Sequence, residues 1–432
     1  MRKRLFWLLT LAMTASLLAP AAVGAAESDE AYVYAEEISE DPYADEELYE
    51  DLYEDEQDEE PEDAGTDGAS DEERSETDDE LNPSEEADEV NAEDDTDSAA
   101  EEIEWGEYES DDAADAAAVQ YSGTCGDNLK WQLYTDGSFV VSGSGAMTVY
   151  NNGITPWYSY RSLIKKVTIK GGTRIASATF KKCENLTTLI TSKTVKSIGS
   201  HTFMGCEKLA SVTLAAGLEE VNESAFSGCK ALTTVVLPKG VKRVEGYVFS
   251  NCTSLTSITL PDGITNIEWY TFENCTGLKT VKLPKGIKTV AWGLFKGCTG
   301  LESVTIPTGV TGIEGYAFYK CGKLKAISIP EGVKKIEMDA FGYCAAFKSV
   351  TIPKSVTEIE MWGFVGCTGL TTVTVREGLE TIGEGVFNGC TALQSITLPD
   401  TLKEIQKSAF YDCAELQTIA IPDAVTSLGE SV

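Results

Sequence analysis

A single histidine, His201, stands among 432 residues. It has no imidazole partner, and no Ser-His-Asp set can be assembled around it with any specificity. Its position varies from unit to unit, so an exposed surface residue is expected there. The sequence also lacks a phosphate-cradling glycine loop, a dinucleotide fingerprint, a calcium loop and a close C-x-x-C pair. Acid pairs exist, such as Glu219-Glu220, but nothing marks one member as acid and the other as base. Catalysis and cofactors are therefore not expected. Beyond Ala26 no apolar run is long enough to cross a membrane. Bases are nearly missing from residues 27–118, where Arg74 stands alone against 44 of the chain's 71 acids.

The formal charge of −37 belongs to that acidic stretch, because residues 119–432 hold 27 acids and 30 bases. Few branched apolar residues accompany the acids, so residues 27–118 cannot bury enough surface to fold and are expected to be disordered. The main expectation for them is a self-repelling spacer; cation binding or docking on basic surfaces is the other. Neither the acidic stretch nor the near-neutral remainder favours nucleic acid as a partner. At the N-terminus a basic patch (Arg2, Lys3, Arg4), an apolar run from Leu5 to Leu18 and small residues around Ala25 predict a secretory signal over residues 1–26. No cysteine follows it, which argues against a lipid anchor.

What the chain does contain is a period. Eleven of its 12 cysteines recur every 23 residues: Cys183, Cys206, Cys229, Cys252, Cys275, Cys298, Cys321, Cys344, Cys367, Cys390 and Cys413. A Phe precedes each by three residues, from Phe180 to Phe410, and a Leu follows by three, Phe347 being the one substitute. Val, Ile or Leu follows at plus six and, Thr191 excepted, at plus eight. A fixed period of this length predicts stacked supersecondary units that bury their apolar faces against one another. Alternating segments such as LTSITLP predict short strands ended by Pro, and pairs such as Pro284-Gly286 predict tight turns. Each unit reads as one coil, and eleven coils at strand spacing would extend about 50 Å.

Ahead of the coils, LKWQLYTDGSFVVSGSG predicts a hairpin around Asp136-Gly137, and residues 119–160 read as a cap over the solenoid's first coil. Trp157 takes the place of a repeat Phe and Tyr160 that of a Cys; the next coil is one residue short of the full period. The last unit stops one residue before its Phe, which predicts a frayed coil or a fragment.

The repeating pattern, with Ala225-Phe226, Ala317-Phe318, Ala340-Phe341 and Ala409-Phe410 at its centre, resembles the BspA-like class of bacterial leucine-rich repeats over residues 154–432. The resemblance implies a mainly β, right-handed leucine-rich-repeat solenoid over 161–432, a β-hairpin cap, and a secreted or cell-surface protein. It further implies adhesion to extracellular proteins, of a host matrix or of other microbes.

Three readings of the cysteines compete. Metal binding needs convergent ligands, which a line of sulfurs along a rod does not supply. Disulfides suit an exported protein, but pairing neighbouring coils would impose an alternation over every two units, and that alternation is missing. A ladder of buried free thiols is the expectation. The candidate binding residues lie five and six positions before successive cysteines: Tyr247, Trp269, Tyr270, Trp292, Tyr316, Met338, Met361 and Trp362. In-register stacking would align them over about 24 Å, with Tyr319 and Tyr343 beside them. They read either as cover for the loops between coils or as a platform for protein or glycan. A spacer assembling end to end is a further alternative. Four Asn-x-Ser/Thr sites (Asn185, Asn222, Asn251, Asn274) follow from the repeat itself.

Overall fold

The computed structural model describes residues 117–150 and 153–432. The expected signal peptide and the acidic region up to residue 116 lie outside them. Three antiparallel strands open the described chain: β1 (Val119–Gly126), β2 (Asn128–Tyr134) and β3 (Ser138–Ser144). The hairpin at Asp136-Gly137 joins β2 to β3, pairing Trp131 with Val141 and Leu133 with Phe139. Gly137 takes φ 90°, and the Asp136 carboxylate accepts the Ser138 N–H at 2.8 Å, the turn chemistry that favours Asp-Gly. The third strand, β1, goes beyond the expected hairpin. Its alternation is weak because its residues are mostly exposed or half-buried.

β3 then pairs in parallel with β4 (Lys166–Ile169), so the cap sheet runs directly into the solenoid. From there two ladders of parallel strands climb together. One is built from three- and four-residue strands after most of the cysteines, as in Val235↔Ile258 and Val281↔Val304; it is interrupted between sheets, and no strand forms after Cys321 or Cys413. The other uses two-residue strands before it, as in Arg243↔Asn266 and Lys335↔Glu358. Partners within the ladders stand one full period apart, except that β4 pairs Val167 with Leu189, one residue closer. The missing residue is thus confined to the strand register, since Trp157 stands a full period before Phe180 and fills the Phe place: the indole stacks on Phe180 at 5.7 Å. Tyr160 is half-buried against Tyr121, ring on ring at 3.8 Å.

Inside, the same residue type stands above itself. Rings from Phe180 to Phe410 stack at 5.0–5.8 Å with planes within 17° of parallel. The cysteines form a second column, and all twelve are free. From Cys206 to Cys413 each Sγ–H donates to the carbonyl of the Phe in the preceding coil, at 2.9–3.4 Å. That carbonyl already accepts the N–H of its own coil's cysteine, as Phe249 O does from Cys252. A carbonyl has two lone pairs, and the thiol occupies the second. Burial pushes the Cys252 thiol up to about 12 and raises those of Cys229, Cys275, Cys321, Cys367 and Cys390 as well, so these stay protonated and unreactive.

The last coil is paired on one side only: Ser427–Leu428 pairs in register with Glu404–Ile405, whereas no strand forms over residues 414–426, and Leu428 and Ile421 are exposed. Among the described residues no helix is long and apolar enough to cross a membrane.

Candidate aromatic binding surface

Each coil ends in a run of tight turns before its cysteine, and two positions there repeatedly adopt a left-handed backbone. Five residues before the cysteine, Tyr247, Tyr270, Tyr316 and Trp362 have φ of 57°, 53°, 56° and 59°; one residue before it, Tyr343 has 59°. Glycine adopts this conformation freely, as Gly293 and Gly385 do in the same column. A bulky residue there costs roughly 1–2 kcal/mol. Four of the eight stripe residues, together with the neighbouring Tyr343, are thus held where backbone preference alone would select Gly, Asn or Asp.

Glycine enters in a second way. A Cβ added at Gly246 would meet three atoms of the Trp269 indole at 2.5–2.9 Å. Such near-equal distances mean that the ring face, not its edge, rests on the glycine. Trp292 lies in the same manner over Gly315, Tyr270 over Gly293 and Trp362 over Gly385. The missing side chain makes room for a ring from the adjacent coil. The sequence carried this signal as glycines standing one period away from the aromatics.

Ring contacts join much of the stripe. Tyr247 stacks on Tyr270 at 5.1 Å, and the Trp292 indole N–H donates to the Tyr270 hydroxyl at 3.1 Å. Trp292 meets Tyr316 at 5.5 Å, Tyr316 meets Tyr319 at 5.2 Å, and Tyr319 meets Tyr343 at 5.4 Å, the last two edge to face. The chain of contacts therefore crosses from the coil of Cys252 to that of Cys344. Met338, Met361 and Trp362 prolong the columns without joining these ring contacts. Trp269 is 45% exposed and Met361 36%; the other six candidates are half-buried.

Carboxylates support the array from below. Glu245, Glu314, Glu337 and Glu360, seven residues before their cysteines, accept the backbone N–H of Glu223, Trp292, Gly315 and Met338 in the preceding coil, at 2.9–3.2 Å. Burial, then the neighbouring Glu314 and Glu360, raises the Glu337 carboxyl above its usual range. Asp339 is 5% exposed in the left-handed column and takes a hydrogen bond from Tyr316. Burial raises its carboxyl to about 7, and burial together with this acid raises the hydroxyls of Tyr316 and Tyr319. Lys296 and Lys320 place their ammonium groups 5.4 and 5.3 Å from the Tyr270 and Tyr319 rings. Sequence reasoning missed this carboxylate row and Asp339, because acids scattered through a repeat look like solvated surface until the coils are stacked.

His201 is half-buried rather than exposed. It occupies the left-handed column at φ 57°, and burial, then Lys181, lowers its imidazole below the ordinary value. Among the described residues no three His, Cys, Asp or Glu side chains converge as a metal site would require.

Comparison with known proteins bears on the repeat region. A family model described as BspA type leucine rich repeat region, in six copies, matches in overlapping stretches from residue 173 to 432. A leucine-rich repeat protein of Bacteroides ovatus, solved by crystallography, is 26% identical, with a TM-score of 0.50 over 70% of this chain and 89% of that one. A leucine-rich repeat protein of Eubacterium ventriosum is 27% identical with a TM-score of 0.44, over 72% and 95%. A leucine rich cell surface protein of Faecalibacterium prausnitzii is 21% identical with a TM-score of 0.36, over 74% and 96%. The comparison with curated proteins returned no match. Eleven cysteine-marked coils, in-register parallel pairing between successive coils and a family match over residues 173–432 lead to one conclusion: the chain belongs to the BspA-type leucine-rich repeat family.

Proposed function

We propose that the chain is an exported, non-enzymatic binding protein whose aromatic surface, from Tyr247 to Trp362, holds an extracellular protein ligand. In this reading residues 1–26 direct export, 27–118 form an acidic spacer, 119–160 cap the solenoid, and 161–432 present the ligand surface. Family membership supports a binding role, though fold alone does not assign a ligand. The observation that carries the reading is the run of ring contacts from Tyr247 to Tyr343, built partly at backbone positions unfavourable to aromatics. Strain of this kind concentrates at functional surfaces, and Trp and Tyr dominate protein-binding hot spots.

A glycan ligand is the second reading. Trp269 favours it, since an indole lying flat over Gly246 and 45% exposed offers its outer face for stacking on a sugar ring.

The test is the triple variant Trp269→Ala, Trp292→Ala, Trp362→Ala, compared with wild type on a panel of extracellular matrix proteins and on neutral glycan arrays. Binding to a matrix protein that the variant loses, with circular dichroism unchanged, is the expected result. Unchanged binding by the variant removes the array from consideration. Loss confined to the glycan arm selects the second reading.

A further inference from the structure

The balance of 27 acids and 30 bases in residues 119–432 conceals a local imbalance. Lys279, Lys282, Lys285 and Lys288 follow one another at every third residue, in KTVKLPKGIK, and all four are exposed. Between them Val281, Leu283 and Ile287 point inward and are buried. The coil therefore turns every lysine outward through its Pro284-Gly286 turn. Lys239 and Lys242 hold equivalent places two coils earlier, roughly 10 Å away. The coils are adjacent and in register: Lys242 O accepts the Thr265 N–H, and in the next coil Gly286 lies directly against Ile264 O. Against these six bases the same arc of the intervening and following coils carries Asp262, 3.2 Å from Lys285, and Glu302, already paired with Lys325 at 2.8 Å. No ion pair within 4.0 Å engages Lys239, Lys242, Lys279, Lys282 or Lys288 among the described residues.

Two features narrow the ligand. The arc presents no aromatic side chain, so nucleic-acid bases would have nothing to stack on. Between the lysines stand exposed hydroxyls: Thr259 and Thr305 flank Lys282 in its column. An open recess of about 360 Å³ lies there, lined by Ile258, Thr259, Leu260, Asp262 and Lys282. Ammonium groups and hydroxyls alternating on an open β surface match a polymer that carries both fixed anions and sugar hydroxyls. We infer that the lysine band of residues 239–288 is a second binding surface, separate from the aromatic array, and that its ligand is a sulfated polysaccharide.

The test uses the full chain and heparin as the probe. Wild type is expected to bind at low ionic strength with an affinity that falls steeply as salt rises, because lysine contacts release counterions. The variant Lys279→Gln, Lys282→Gln, Lys285→Gln, Lys288→Gln is expected to bind roughly tenfold or more weakly, with a shallower salt dependence. All four side chains are exposed, so circular dichroism should not change. Chemically desulfated heparin should not bind, and the triple tryptophan variant should bind heparin as wild type does. Failure of wild type to bind, equal binding by the lysine variant, or equal binding of desulfated heparin would each overturn the inference. Duplex DNA or polyphosphate bound as tightly as heparin would overturn the assignment to a sulfated sugar.

Discussion

Replacing Asp339 by Asn perturbs the centre of the aromatic surface while changing almost nothing else. Asn is isosteric, tolerates the left-handed φ of 54° at least as well, and can accept the Tyr316 hydrogen bond. The difference is the proton. Burial raises the Asp339 carboxyl from 3.8 to about 7. Between those values the folded chain holds a proton that the unfolded chain releases, so this residue makes stability fall as pH rises from about 4 to about 7. A shift of about three pH units corresponds to roughly 4 kcal/mol, the upper bound on what Asp339 costs the folded state above pH 7. Asp339→Asn should therefore match wild type near pH 4 and exceed it by about 2–4 kcal/mol near pH 8. Glu337 shifts the same way in both proteins, so the difference between them isolates Asp339. Urea denaturation at pH 4.5, 6 and 8 reads the effect, and hydrogen exchange of the coils of Cys321 to Cys367 localises it. A variant difference that does not grow with pH would refute the argument that burial governs this carboxyl.

The interior yields further expectations. Native protein should leave its eleven repeat thiols unreactive toward a thiol reagent at pH 8, and unfolding without reductant should expose twelve; fewer than half free would end the ladder. Cys298→Ala removes the bond to Phe272 O and leaves a small void, which should cost about 1–2 kcal/mol in denaturant titrations. Phe295→Ala opens a gap between Phe272 and Phe318 and should cost about 3–5 kcal/mol, with exchange accelerated mainly in the adjoining coils. Gly315→Ala puts a methyl 2.5 Å from the Trp292 ring; the indole must lift, which a shift in tryptophan emission would report, and an unmoved spectrum would contradict the face-on packing.

The period was legible because every interior position must superimpose on its neighbour. The Phe, Cys and Leu columns recur once per coil for a packing reason that needs no knowledge of the coil's path. Trp157 could be placed in the Phe column from sequence for the same reason. The surface was less legible. Four aromatics and Asp339 stand at φ near +55°, which residue preference predicts for glycine, so the column cannot be read from the side chains that occupy it. The glycines under the rings lie in other coils, and their meaning emerges only when successive units are set side by side. Strand β1 escaped because a mostly exposed strand has little alternation to reveal it. The lysine band escaped because a charge total over residues 119–432 averages one arc against another.

The thiol-to-carbonyl bond has an evolutionary corollary. It joins each turn only to the one before it, and the same pair of atoms is offered at every level. In-frame duplication or loss of a single unit would thus leave every remaining bond satisfiable. Lineages could lengthen or shorten this molecule one storey at a time, adding or trimming outer surface without redesigning anything within.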